Sequence, residues 1–314
     1  MSAGSHPLLR VVASVERALN ECEPVVALES SVFAQGLPIP HNRAAAERML
    51  SAVERAGAIA AITAVAGGVP TIGLEPHELE RFLNREGVRK VSARDIPAAI
   101  AKRLDGATTV AATLSLASIA GIDVFATGGI GGVHRGAPFD ESADLTELSR
   151  TPMIVVCAGA KSILDLPATW ERLESLGVPV VGYQTDELPG FFSAETGIRL
   201  DARADDAEEI VAMYLAHRSL GRQQAMLVVQ RPPESHSLDR NKVEVAVVRA
   251  QEEAVAEGVT GARVTPYLLA AVSRLTGGGS LDANVELLEQ NAALAGMIAT
   301  MCSARRRGIL GMRY

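Results

Sequence analysis

Residues 125–166 read FATGGIGGVHRGAPFDESADLTELSRTPMIVVCAGAKSILDL. Two apolar runs, residues 123–127 and 153–158, have the length of buried strands, and each gives way to small and then polar residues. The first opens into TGGIGGVHRG, with glycines at 128, 129, 131, 132 and 136. The second opens into Gly159, Ala160 and a single lysine, Lys161. Asp140, Glu141, Ser142, Ala143 and Asp144 lie between them.

The same alternation extends outward in both directions. Residues 8–20 have the pattern of an amphipathic helix, and residues 25–28, after Pro24, that of a buried strand ending in Glu29-Ser30-Ser31. A helical period follows over 41–56, closed by Gly57. Residues 58–74 read as a hairpin about Gly67-Gly68, 76–85 as a surface helix, and 88–95 as a basic extended segment. Asp95 before Ile96-Pro97 reads as an N-cap. Downstream, helices are expected over 111–120, 145–150, 167–176, 203–219, 238–257, 266–275 and from 281 to about 301. Further strands are expected at 178–183 and 225–230. Compact apolar runs alternating with helical patterns specify βαβ units, hence an α/β fold with a mainly parallel (mixed) central sheet covered on both faces. No repeat or low-complexity linker divides the chain, so one domain over residues 1–314 is expected.

Composition narrows the class of function. The chain is 48% hydrophobic but only 4% aromatic and carries a net charge of −7, which opposes base stacking and polyanion binding. Arg305-Arg306-Arg307 reads as a solvated helix end. Cys22, Cys157 and Cys302 are widely spaced and outline neither a zinc site nor a disulfide framework, so a reducing cytoplasm is the expected location. The apolar run 110–122 is too short to span a bilayer, and no membrane or nucleic-acid partner is expected.

Open α/β sheets bind ligands beyond the carboxyl ends of their strands. Glu29, Ser30, Thr127, His134, Lys161, Gln184 and Thr185 all fall there. Lys161 follows MIVVCAGA, and a desolvated amine suits Schiff-base chemistry with a carbonyl compound; an ordinary anion-binding lysine fits the same pattern. The glycine run lets backbone N–H groups approach an anion, with His134 and Arg135 adding charge, or is a plain turn. Asp140, Glu141 and Asp144 suit a hydrated hard metal, a general acid/base or a solvated turn. Glu29, at the end of a buried strand, is placed to keep a proton at neutral pH. Lys90 and Arg94 read locally as solvated charges.

Taken together, VVALES (25–30), KVSARD (90–95), GATTV (106–110), VFATGGIGGVHRGA (124–137), SADL (142–145), VVCAGAKSILDL (155–166), GVPVVGYQT (177–185), LPGFF (188–192) and TPYLL…LTGG…SLDAN (265–284) resemble the pseudouridine-5′-phosphate glycosidases. That family includes the indigoidine synthase A-like proteins. The resemblance covers nearly the whole chain. It implies a three-layer α/β/α sandwich, a homotrimer, a divalent metal (usually Mn2+), and a phosphorylated ribosyl substrate. The implied reaction is reversible cleavage of the C–C glycosidic bond of pseudouridine 5′-phosphate to uracil and ribose 5-phosphate. The resemblance places the nucleophile on Lys161, the proton donor on Glu29, and an assisting carboxylate on Asp144. Substrate binding falls on Lys90, Val110, the triplet Ser142-Ala143-Asp144, His134 on the phosphate side and Asn284 near the base. The metal aspartate is Asp140.

The chain departs from the family pattern on the base side. Gln35 stands where a histidine is usual, and Gln230-Arg231-Pro232-Pro233 replaces Asn-Pro-Ile-Pro. These departures leave a second reading, a C-ribosyltransferase of secondary metabolism joining ribose 5-phosphate to another carbon nucleophile. A non-catalytic phosphate sensor would have no use for Lys161 and Glu29 together.

Overall fold

The computed structural model describes residues 6–136 and 139–311. Ala137 of the glycine-rich motif, residues 1–5 of the lead-in and the last three residues of the expected domain lie outside them. The first half of the described chain contains β1 (Arg10–Val11), α1 (Ala13–Asn20), β2 (Val25–Glu29), α2 (His41–Arg55), β3 (Ile59–Ala66), β4 (Val69–Ile72), α3 (Pro76–Asn84), β5 (Arg89–Val91), α4 (Ile96–Ala101), β6 (Gly106–Thr108), α5 (Val110–Ile119), β7 (Val124–Ala126) and α6 (Ala143–Leu148). The second half contains β8 (Ile154–Cys157), α7 (Leu166–Ser175), β9 (Val180–Tyr183), β10 (Ala202–Ala204), α8 (Ala207–Ser219), β11 (Met226–Val229), α9 (Arg240–Ala256), α10 (Val264–Leu275) and α11 (Gly279–Gly311).

The sheet runs β1-β4-β3-β2-β7-β8-β11-β9-β10. From β3 to β10 neighbouring strands are parallel, while β4 and β6 run antiparallel to β3. Helices cover both faces: α11 lies on β2, β7 and β8 and packs on α2 and α8, while α5 crosses β2, β3 and β4 beside α6. The result is the three-layer α/β/α arrangement with a mixed, mainly parallel sheet. Its central strands are buried on both sides, as continuous Val/Ile/Ala runs require.

Two features of this topology build a crevice. From β2 the chain first steps outward to β3 and later returns to β7 on the other side of β2. The order therefore reverses beside β2, the place where open α/β sheets leave room for ligands. In addition, β3 outruns β2: Thr63 pairs with Glu29, and residues 64–66 continue beyond. The lane that β2 vacates is filled by β6, which pairs with Ala64 and Val65, and β5 joins β6. This extension carries Lys90 and Val110 back to the end of β2.

Four expectations are corrected. Residues 8–20 are not one helix: Arg10 and Val11 pair with Thr71 and Ile72, and the Arg10 guanidinium reaches Glu78 at 2.6 Å, so tertiary contacts override helical pattern. Residues 202–204 form β10 against β9, and α8 starts only after Asp206, which accepts the Glu209 N–H at 2.9 Å. Asp95 does not cap α4 with its side chain; it turns back to accept the Ser92 N–H at 3.0 Å. The last helix starts at Gly279 and extends to Gly311. Near that end Arg305 pairs with Glu208 at 2.6 Å and Arg306 pairs with Asp123.

Candidate active site

At the reversal point, Glu29 and Thr127 leave the adjacent strands β2 and β7 side by side. The Thr127 hydroxyl donates a hydrogen bond to Glu29 Oε1, and the Ser31 hydroxyl donates to Oε2 at 2.7 Å. Glu29 is only 3% exposed. Burial pushes its carboxyl above the ordinary range; the Lys161 charge and the two hydroxyl donors oppose that shift, and Asp144 adds to it.

The glycine run stays attached to the strand end before Lys161. The Ile130 N–H donates to Gly159 O at 3.1 Å, the Lys161 N–H to Ile130 O at 3.1 Å, and the Asp165 N–H to Val133 O at 2.9 Å. Asp144 then ties three segments together. Its Oδ2 accepts the Gly131 N–H at 2.8 Å and its Oδ1 the Ala111 N–H at 2.9 Å, in the first turn of α5. Ser142 caps α6, its hydroxyl accepting the Asp144 N–H at 3.2 Å.

These segments enclose a narrow cavity of ≈ 70 Å³. Glu29, Lys90, Val110, His134, Ser142, Asp144 and Lys161 all line it, with Ser31, Thr109, Gly131, Ile163, Leu164 and Thr265. Burial, and then the like charge of Lys161, hold the Lys90 ammonium below its ordinary value, with Asp144 and Glu29 opposing. Lys90 still presents much of its own surface to water, so the physical consequence of that depression is muted. Two lysines and two carboxylates thus act on one another's charge within a single crevice. Such a set can hold an anionic sugar phosphate, present an amine to an electrophilic carbon, and supply a proton from a buried acid.

Other expected residues stand elsewhere. Ala143 is exposed at the start of α6, between Ser142 and Asp144. Asn284 lines a neighbouring pocket of ≈ 450 Å³ with Gln35, Phe192 and Pro266, and Pro266 adjoins Thr265 of the narrow cavity. Asp140 is exposed, and its carbonyl accepts the His134 N–H at 2.9 Å. Glu141 is engaged with Arg172 at 2.9 Å. Among the described residues no group of three or more His, Cys, Asp or Glu side chains is placed to hold a metal ion. Arg135 does not add charge to the glycine loop: it donates to Leu164 O at 3.0 Å and Ser162 O at 3.2 Å and pairs with Glu244. Ser30 points away from the cavity into a hydroxyl cluster, donating to Thr63 O at 2.7 Å. Gln184 binds Asp205 O at 3.0 Å, and Thr185 is buried. Cys157, also buried, has its thiol pushed up to about 12 by desolvation, which makes it inert.

The sequence reading missed Asn291, which lies on α11 and is fully buried. Its Nδ2 donates to Thr127 O at 2.8 Å and Gly128 O at 3.3 Å. Gln230, one of the divergent residues, donates to Asn291 Oδ1 at 2.9 Å. An asparagine within a long helix carries no local signal of such a role.

Comparison with known proteins places the chain in a family. The family model described as "Indigoidine synthase A like protein" matches residues 14–301, and the chain belongs to that family. A pseudouridine-5′-phosphate glycosidase from Gemmatimonas aurantiaca is 61% identical over 290 residues, 92% of this chain and 95% of the relative. One from Chloroflexus aurantiacus is 52% identical over 302 residues, 94% of this chain and 99% of the relative. The crystal structure of a prealnumycin C-glycosynthase in complex with ribulose 5-phosphate superposes with a TM-score of 0.89 at 39% identity, covering 96% of this chain and 99% of the other.

Proposed function

We propose that this protein is a pseudouridine-5′-phosphate glycosidase, cleaving the nucleotide reversibly to uracil and ribose 5-phosphate. The observation that carries this reading is the convergence of Lys161 and Glu29, with Lys90 and Asp144, on one cavity. The relatives named for that activity, matched over nearly their full length, support it.

A C–C glycosidic bond has no heteroatom to accept a proton and depart. Glu29, whose carboxyl burial pushes above its ordinary value, gives a proton to the ribose ring oxygen as the C1′–O4′ bond opens. The Lys161 amine forms a bond to C1′. Its nitrogen lone pair then makes the C=N bond of an imine, while the C1′–C5 pair leaves with uracil and is protonated at C5. Water adds to the imine, releasing ribose 5-phosphate and restoring the amine. Asp144, bound to Gly131 and Ala111, holds the glycine loop and α5 against this centre. Lys90, His134, Ser142 and the Val110 backbone seat the sugar phosphate. Asn284 faces the base from the adjoining pocket, which provides volume that the narrow cavity lacks.

An exposed lone carboxylate does not make a closed metal cage, but it fits a hydrated hard cation such as Mn2+, which binds few protein oxygens and keeps its waters. Asp140 would hold such an ion, and the ion would supply positive charge to the phosphate side. For assembly as a homotrimer, the exposed Val245, Val248 and Val255 of α9 offer apolar surface. The three free, widely spaced cysteines support the cytoplasmic location we propose. Among the described residues no helix is long and apolar enough to cross a membrane.

Borohydride reduction in the presence of ribose 5-phosphate tests the reading. It should label Lys161, and Lys161→Ala should lose both the label and, on the order of 10⁴-fold, turnover. The C-ribosyltransferase reading keeps its support in the prealnumycin C-glycosynthase structure. Label without any pseudouridine 5′-phosphate formed from uracil would favour it.

A further inference from the structure

We propose that Asn291 is a positioning residue for Glu29, acting through Thr127, and this inference rests on the lysine–glutamate reading above. The chain leaves β7 at Thr127 and enters Gly128-Gly129, where no side chain restrains it. The place of the Thr127 hydroxyl therefore depends on what anchors the flanking peptides. On one side the Thr127 N–H donates to Val156 O at 3.0 Å. On the other, Asn291 Nδ2 reaches back from α11 to the Thr127 carbonyl at 2.8 Å and the Gly128 carbonyl at 3.3 Å. With both peptides held, the hydroxyl stays on Glu29 Oε1.

The orientation of the Asn291 amide is set by its neighbours. Gln230 Nε2 donates to Oδ1 at 2.9 Å, and Gln290 Nε2 donates to Gln230 Oε1 at 3.1 Å. A flipped Asn291 would set its NH2 against the Gln230 NH2 and its oxygen against two carbonyls. All three groups are largely removed from water, so a mismatch there is costly. The chain Gln290–Gln230–Asn291–Thr127–Glu29 thus links the last helix to the proton donor. It also gives the divergent Gln230 a role behind the site and away from the base.

Asn291→Ala should lower kcat by about 10–100-fold, the scale of a misplaced catalytic group, while KM for the nucleotide stays within about threefold. The Thr127 hydrogen bond favours the charged carboxylate. Its loss should move the limb of the kcat–pH profile set by Glu29 deprotonation to higher pH. Thr127→Val should reproduce that displacement, and Thr127→Ser, which keeps a hydroxyl, should restore the original limb. Ribose 5-phosphate and borohydride should still label Lys161 in each variant. An unlabelled wild-type protein would sink the lysine chemistry itself. Normal labelling with an unmoved pH limb in Thr127→Val and in Asn291→Ala (or Asn291→Ser, if alanine prevents folding) would overturn the positioning role.

Discussion

Gly131 and Asp144 approach so closely that a side chain on Gly131 has no room. The Gly131 N–H donates to Asp144 Oδ2 at 2.8 Å, and a Cβ on Gly131 would stand 2.8 Å from that oxygen and 2.2 Å from Ser142 Oγ. Gly131→Ala must therefore displace the loop or the start of α6. We expect a stability loss of about 1–3 kcal/mol, the usual scale for overpacking, together with a rise in KM for the phosphorylated substrate. Chemical denaturation and steady-state kinetics measure the two effects. An alanine variant with unchanged KM would show that the loop's spacing is immaterial to substrate.

Glu29 puts function in conflict with stability. Its carboxyl titrates above the ordinary value of 4.5 in the folded chain, so the native state binds more protons than the unfolded state above that pH. The slope of stability against pH from this group is then negative: its contribution falls as pH rises from near 4.5 through the folded pKa. Glu29→Gln removes the burial cost of charge and should raise Tm at neutral pH by a few degrees, roughly 2–4 °C per kcal/mol, with little gain near pH 4. Activity should fall by about 10²–10⁴-fold in the same protein. Paired melting curves at the two pH values check this, and a lower Tm at neutral pH would contradict it.

Asp140 stands exposed on the loop after the glycines, outside the lining of the narrow cavity. Asp140→Ala should weaken activation by Mn2+ by about tenfold, as loss of one hard oxygen ligand weakens a hydrated ion's attachment. Borohydride labelling of Lys161 in the presence of chelator should be unchanged. Titration of activity against free metal reads the first quantity; a variant with the wild-type metal curve would leave Asp140 a turn residue.

The central strands were legible because their signal is local: VVAL (25–28) and IVVC (154–157) are apolar throughout, and a strand buried on both faces uses such runs at that length. The polar residues at their ends could be read as a site for the same reason. Lys90 could be placed there only by family resemblance. Locally it is a charge on a basic strand, and its position depends on β3 outrunning β2, a relation between distant segments. Arg135 was misjudged because its charge is spent on carbonyls 27 and 29 residues away and on Glu244. β10 was missed because ARA has no strand pattern; its pairing with β9 makes it a strand.

Gln35 bears on which base the site accepts. Its Oε1 is closed off from water and has no hydrogen-bond partner, while Nε2 reaches Val88 O only at 3.5 Å. An amide held so poorly gains from a ligand that offers it both a donor and an acceptor. Uracil presents such an edge, with N3–H between two carbonyls, and Gln35 lines the ≈ 450 Å³ pocket that also contains Asn284. Gln35→Ala should therefore raise KM for uracil in the synthetic direction by about 5–20-fold, the value of one such hydrogen-bonding group. The ribose 5-phosphate concentration that half-saturates borohydride labelling should not move, because Gln35 lines the larger pocket and not the narrow cavity that contains Lys161. If both constants rise together, Gln35 supports the general shape of the crevice. If neither moves, the base is read elsewhere, and Asn284→Ala becomes the variant that must show the uracil-specific loss.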